Sequence, residues 1–318
     1  MKNRKNHLML LSLLAAGLLT GCSADDSAES SATSKDEIRM VVNNDWQPGT
    51  RAATIYNGTD LLSSFTANAY TTGSSTPYVG NALVSYSGNQ EWNFADRKVY
   101  WPETAALDFF AYAPAGATNC VVSANDISYT AAGGPSFSVN LPATSEGQDG
   151  KAEFIYAYVT GKTQAQDVAG VQLDFHHPFA TVRFALKENN DALTINSITL
   201  KDVKTSGTFT HADTPQWSAQ ANIADFVATI GQAFPQVDEV QAVGDTYIVL
   251  PQAFDNGKLS FVVNYSVDGG SPDELEAEID MTEWSAGSRY TYIMTIDTYL
   301  KVSVTSITIN DWTKYNWQ

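Results

Sequence analysis

The stretch Lys258-Leu259-Ser260-Phe261-Val262-Val263-Asn264-Tyr265-Ser266-Val267, followed by Asp268-Gly269-Gly270-Ser271-Pro272, decides the fold class. Phe261, Val263, Tyr265 and Val267 face one way, and Val262, Asn264 and Ser266 face the other. That two-residue period belongs to a strand with one buried face. Asp-Gly-Gly then reads as a hairpin turn, and the acidic segment 274–281 returns from it. The same pattern recurs along the chain, with short alternating or apolar runs at 98–101, 107–112, 153–160, 171–175, 181–186, 194–200, 247–250 and 290–296. Val182, Phe184 and Leu186 share one face, with Thr181, Arg183 and Ala185 behind. Asn256-Gly257 supplies another strong turn. Helical periodicity is scarce, and only 60–68 and 220–230 read as short helices. Regular short strands separated by Gly, Pro and Asp turns predict an all-β protein built of sandwiches. The polar stretch 161–170 between two strong strands is the expected boundary between an N-terminal and a C-terminal domain.

The first residues carry a different message. Lys2, Arg4 and Lys5 precede an apolar run from Leu8 to Leu19, then Leu19-Thr20-Gly21-Cys22. A charged start, a short apolar core and small residues at the cut make a secretory signal. The run is too short to span a bilayer as a helix, which needs about 20 residues. Cys22 at the cut resembles the lipobox of bacterial lipoproteins, in which the cysteine is acylated and becomes the new N-terminus. Residues 23–36 contain no large apolar side chain and read as a polar tether. A strand-like segment follows, with Ile38, Met40 and Val42 on one face. Asn43-Asn44-Asp45 and Gln47-Pro48-Gly49 end it in a loop that carries Arg51, just before Ala52.

Composition bounds the function. The 318 residues carry 18 Lys+Arg against 35 Asp+Glu, a formal net charge of -17. Nucleic acid is disfavoured as a partner, because neutralising phosphate needs Lys and Arg. There are only two cysteines, so with Cys22 lipidated no disulfide framework exists, and Cys120 beside Val121-Val122 reads as a small buried hydrophobe. His176 and His177 are adjacent, so on a strand they point to opposite faces and do not converge on one metal. The chain has no Gly-x-Ser-x-Gly, no phosphate-binding glycine loop and no Cys beside a plausible His. Its carboxylate pairs, such as Asp273-Glu274 and Asp238-Glu239, read as turn charge. The expectation is no enzyme, no cofactor and no metal. Trp92, Trp101, Trp217, Trp284, Trp312 and Trp317 sit near strand ends, where they plug a sandwich core more often than they stack on sugars.

The order of these parts resembles the fimbrillin family, the lipoprotein pilins of type V pili in anaerobic Gram-negative bacteria. The matching residues are Leu19–Cys22, the tether, the strand at 38–42 and Thr50-Arg51-Ala52. Further along come Val99-Tyr100-Trp101-Pro102, Asp108-Phe109-Phe110-Ala111-Tyr112-Ala113-Pro114 and the run from Val171 through His176-His177-Pro178 to Phe184. Leu250-Pro251, Trp284-Ser285-Ala286-Gly287-Ser288-Arg289-Tyr290 and the closing segment 307–312 complete the series.

The resemblance implies two tandem transthyretin-like (Greek-key) β-sandwich domains. It divides the chain into a signal peptide (1–21), a lipidated tether with a removable first strand (22–51), an N-terminal sandwich (52–165) and a C-terminal sandwich (166–318). It implies export to the outer membrane on the Cys22 lipid, then a cut by an arginine-specific protease after Arg51, which leaves Ala52 as the mature start. The cut displaces the strand of Ile38, Met40 and Val42. A strand from another pilin subunit fills the groove, and the candidate donor is 301–310, with Val302, Val304, Ile307 and Ile309. Val302 and Val304 have one parity and Ile307 and Ile309 the other, which predicts a bulge or break near Thr305-Ser306. The product is an extracellular fimbrium serving adhesion to a host or bacterial surface ligand. The alternative is a lipid-anchored glycan-binding, accessory or tip adhesin that does not polymerise.

Overall fold

The computed structural model describes residues 37–42, 62–88, 91–236, 239–297 and 301–311. Those residues are organised almost entirely as β-strands, with one four-residue α-helix, Ser145–Gln148, among them. The all-β expectation holds.

The first sheet has seven strands, in the order Ile155–Lys162, Leu107–Ala113, Ser64–Thr71, Pro77–Gly88, Glu91–Phe94, Met40–Val42 and Val171–Leu173. A four-stranded sheet runs Gln241–Val249, Ala180–Asn189, Ser288–Asp297, Lys301–Asp311. A third sheet runs Asp273–Asp280, Lys258–Val267, Leu193–His211, Gly134–Asn140, Ile127–Thr130, and Pro215–Phe234 lies along the other side of Leu193–His211. Lys258–Val267 and Asp273–Asp280 pair antiparallel. Asp268 (φ 49) and Gly269 (φ 71) take the two left-handed positions of the turn between them. They close a tight turn in which the Gly270 N–H donates to the Val267 carbonyl at 2.8 Å, a conformation that Asp-Gly adopts easily.

Three apolar clusters hold the sheets. One includes Phe65, Trp92, Val99, Trp101, Phe109, Leu173 and Phe175. A second lies between the four-stranded and third sheets, with Val182, Phe184, Leu186, Ile198, Leu200, Phe261, Val263, Tyr265, Tyr292 and Met294. The third, with Phe110, Tyr112, Phe137, Phe154, Tyr156, Phe179, Phe209, Ile248 and Leu250, draws residues from strands of all three sheets. Leu107–Ala113 is buried at every position because Phe109 and Ala111 belong to the first cluster and Phe110 and Tyr112 to the third. A strand covered on both faces needs a continuous apolar run rather than alternation.

Two segments differ from the sequence reading. A short helix is expected at 60–68, but the described part forms the strand Ser64–Thr71, whose six central residues are all buried. Its alanines favour a helix locally, and burial on both faces overrides that weak preference. Residues 220–230 lie within the strand Pro215–Phe234, not a helix. Register shifts opposite Leu200/Val203 and Ser206/Thr208 break its two-residue alternation, so the sequence loses the strand signature. Two strand pairings cross the expected division at 165/166. Val171–Leu173 pairs with Met40–Val42 in the first sheet, while Gly134–Asn140 pairs with Leu193–His211 in the third.

The described tryptophans lie in the core or pack against it. Trp92, Trp101 and Trp284 are buried. The Trp284 indole N–H donates to Tyr292 Oη at 2.7 Å, and that of Trp217 to the Pro178 carbonyl at 2.7 Å. Trp312 and Trp317 lie outside the described residues.

Asp108 ties four segments at the edge of this core. Its Oδ1 accepts from Thr72 Oγ1 (2.7 Å) and from the Gly161 N–H (2.8 Å), and its Oδ2 accepts from Tyr129 Oη (3.2 Å). Asp108→Ala orphans these donors, and an unsatisfied buried donor costs about 1–3 kcal/mol. Urea unfolding of that variant is expected to show a loss of about 3 kcal/mol, and a loss below about 1 kcal/mol would contradict the role.

Candidate functional site

The segment 37–42 alternates between half-buried and buried positions, with Ile38, Met40 and Val42 only 2%, 2% and 6% exposed. Its period is the one read from sequence. Glu37 bridges to Tyr100, and the Ile38 N–H donates to the Val99 carbonyl at 2.7 Å. Met40–Val42 then pairs antiparallel with Glu91–Phe94 on one side and parallel with Val171–Leu173 on the other. It is therefore an inner strand, and Val171–Leu173 joins the first sheet through it.

The fit is close at the backbone. Gly170 sits at φ 116, and a Cβ there would meet Val41 Cγ2 at 2.9 Å and the Arg39 carbonyl oxygen at 3.3 Å. Glycine thus lets the chain pass against the first strand before the Val171 N–H donates to the Arg39 carbonyl at 2.8 Å. Ile38, Met40 and Val42 belong to the cluster that holds Phe65, Trp92 and Phe175. Burying each is worth roughly 1.5–3 kcal/mol. Lifting the segment out would leave an apolar groove between two unpaired strand edges. Unpaired edges of this kind accept another strand.

Residues 301–311, the other expected participant, lie at the edge of the four-stranded sheet, antiparallel to Ser288–Asp297. The expected irregularity is there: Ile293 pairs with Ser306 and Met294 with Val304, leaving Thr305 as the extra residue of a bulge. The bulge brings Val302, Val304, Ile307 and Ile309 opposite Ile296, Met294, Tyr292 and Tyr290, so the parity switch puts all four on one face. Cover fades along the row, from 3% exposure at Val302 to 58% at Ile309. Cys22, Arg51 and Ala52 lie outside the described residues.

The described histidines, His176, His177 and His211, pack in a way that spacing did not reveal. His177 Nδ1 lies 2.7 Å from Glu153 Oε1, with both side chains buried. Glu153 is 24 residues away, so no local motif announces the pair. His176 exchanges backbone hydrogen bonds with Tyr156, and the Tyr156 ring lies edge-on to His211 at 5.6 Å. Burial lowers the pKa of His176, opposed by Asp174, and burial together with His176 lowers that of His211. Burial pushes the Cys120 thiol up to about 12, so it remains protonated at neutral pH and is a poor nucleophile. Among the described residues no group of three or more His, Cys, Asp or Glu is placed to hold a metal, and no helix is long and apolar enough to cross a membrane.

This geometry defines a β-sandwich protein whose first described strand is buried and paired on both sides. The family model described as fimbrillin-like matches residues 50–312, and the chain belongs to that family, as the sequence resemblance indicates. A fimbrial protein from Bacteroides vulgatus superposes with a TM-score of 0.62 at 14% identity, over 87% of this chain and 99% of that one. A candidate cell adhesion protein from Bacteroides uniformis gives 0.56 at 17% identity over 87% and 98%, and one from Bacteroides ovatus 0.55 at 14% over 88% and 98%. These similarities bear on the fold. A search of curated protein sequences finds no match.

Two outcomes test the site. Met40→Ala is expected to destabilise the intact chain by about 2–4 kcal/mol, and protein already cut after Arg51 and freed of the strand should show no such difference. The second concerns pH. His176 and His211 have folded-state pKa values below the ordinary 6.5. The unfolded chain therefore takes up protons first, so stability is full above pH 6.5 and falls below it. Urea midpoints should drop between pH 7.5 and pH 5.5, and the drop should shrink in a His176→Gln/His211→Gln variant.

Proposed function

We propose that this chain is a structural subunit of a fimbrium, exported as a lipoprotein on Cys22, cut after Arg51 and assembled by strand exchange. The observation that carries the reading is the inner position of Met40–Val42, held on both sides and buried on its apolar face. A cut at Arg51 leaves that strand attached to the body by non-covalent contacts alone. Its departure opens a groove that only a strand with alternating apolar residues refills. Segment 301–311 has such residues in Val302, Val304, Ile307 and Ile309, and its place at a sheet edge, bonded on one side, makes it the segment most easily given to a neighbour. Head-to-tail donation does not close on itself, so it builds a filament. In this reading 52–165 and 166–318 are tandem sandwich domains. The partners are other pilin subunits, the protease, the outer-membrane lipid before processing, and an adhesion ligand. The work is mechanical rather than enzymatic.

One observation favours a second reading, an accessory or tip adhesin. Residues 301–311 already complete the four-stranded sheet of their own chain, and Val302 belongs to its core. A subunit that keeps this strand accepts a donor but offers none.

The deciding experiment digests the full-length lipoprotein with an arginine-specific protease and reads both the new N-terminus and the assembly state. A start at Ala52 with SDS-resistant ladders is expected of a polymerising subunit. A start at Ala52 without ladders supports the accessory reading, and an intact Arg51–Ala52 bond overturns both. Arg51→Ala should leave acylated monomers. Deleting 301–318 should stop growth while leaving the groove able to take a donor.

A further inference from the structure

A cleft of about 670 Å³ opens on the outer side of the third sheet, remote in sequence from the first strand. It is lined by Lys201, Asp202 and Lys204, by Ile223, and by the loop and strand start from Gln252 to Ser260, which brings Lys258. A chain with 18 Lys+Arg against 35 Asp+Glu has few cations to place, yet three lysines meet here.

Their meeting is built rather than incidental. In a regular strand residues three apart face opposite sides. Between Leu200 and Val203 the register against Pro215–Phe234 shifts, with Asp202 in the left-handed region at φ 56. The buried positions accordingly switch from Ile198 and Leu200 to Val203 and Thr205. The shift turns Lys201 and Lys204 onto one face, the re-aiming for which bulges recur beside binding sites.

Two side chains brace the bulge. Asp225 Oδ1 accepts from the Asp202 N–H at 3.2 Å. The Gln252 carboxamide, 5% exposed, holds both backbone groups of Lys204: Oε1 accepts its N–H at 2.8 Å and Nε2 donates to its carbonyl at 3.2 Å. Lys201 pairs with Asp225, and Lys258 pairs with Asp280 at 2.8 Å and Glu278 at 3.3 Å. Among the described residues the Lys204 ammonium has no ion-pair partner.

We propose that this cleft binds a saccharide carrying a carboxylate, with Lys204 taking the carboxylate. Both halves of the chemistry are needed. An ammonium free of ion pairs, on a backbone that Gln252 holds in place, selects one negative charge. The carboxylates of Asp202, Asp255 and Glu278, with Asn256 and Ser260, present hydroxyl-binding groups, and they repel a polyanion or an acidic peptide. Ile223, 63% exposed, and the half-buried Phe254 offer apolar surface for a sugar ring. A uronate and a sialate share this chemistry.

Titration calorimetry of the intact chain tests the assignment with galacturonate, 3′-sialyllactose and, as the uncharged control, lactose. Saturable binding of galacturonate identifies a uronate site and of 3′-sialyllactose a sialate site, with lactose at least about tenfold weaker. Lys204→Ala is expected to lower the affinity about tenfold. Lys204→Arg should retain most of it, and Lys151→Ala should leave it unchanged. Gln252→Ala, which frees the Lys204 backbone, should weaken binding while the circular dichroism spectrum stays native. Binding of neither acidic sugar, equal binding of lactose, or full affinity in Lys204→Ala overturns the proposal.

Discussion

The structure depends on a shared aromatic seam. Phe137 contacts Phe154 and Phe209 with ring centroids 4.8 Å apart in each case, and Trp217 stands edge-on to it at 5.7 Å. These rings come from the first sheet's neighbourhood, the third sheet and the hairpin beside it. Large rings pack with little conformational freedom to lose and carry most of the apolar area in such a core. They fasten the outer face of the first sheet to the rest, so strands distant in sequence share one interior. The interleaving of 134–140 with 193–211 follows from that seam.

Much of this was legible in the sequence for a simple reason. A strand with one buried face leaves a two-residue period, so Lys258–Val267, Ala180–Asn189 and the segment around Met40 could be read directly. Even the bulge at Thr305 was legible, because an apolar row that changes parity needs one extra residue to stay on a single face. What stayed hidden was whatever depended on distance along the chain. Glu153 meets His177 only because a loop and a strand end are folded together. The strand Ser64–Thr71 is buried on both faces, so its alternation vanishes, and its alanines then resemble a helix. In Pro215–Phe234 several register shifts erase the period altogether. The lysine cleft was invisible for the same reason, since two lysines three residues apart share a face only once Asp202 turns left-handed.

The candidate site divides along the same line. The apolar parity of Ile38, Met40 and Val42 gives a strand, but no local pattern says which neighbours flank it. That Met40–Val42 lies between Glu91–Phe94 and Val171–Leu173 is a tertiary fact. It matters because an inner strand leaves two edges and a groove, where an outer one leaves a single edge and no cavity. The donor candidate reads equally well as a strand in either location, so its pairing with Ser288–Asp297 could be learned only from the fold.

The two segments also differ in how they bear load. Hydrogen bonds between strands run across the strand direction. Tension along 37–42, clasped from both sides, strains its bonds together, and the segment resists until many yield at once. Lys301–Asp311 is bonded along one side only, so a pull across that edge, away from Ser288–Asp297, opens it one bond after another, like a zip. Within one chain the fold thus pairs a shear-loaded grip with a strip that unfastens under little force.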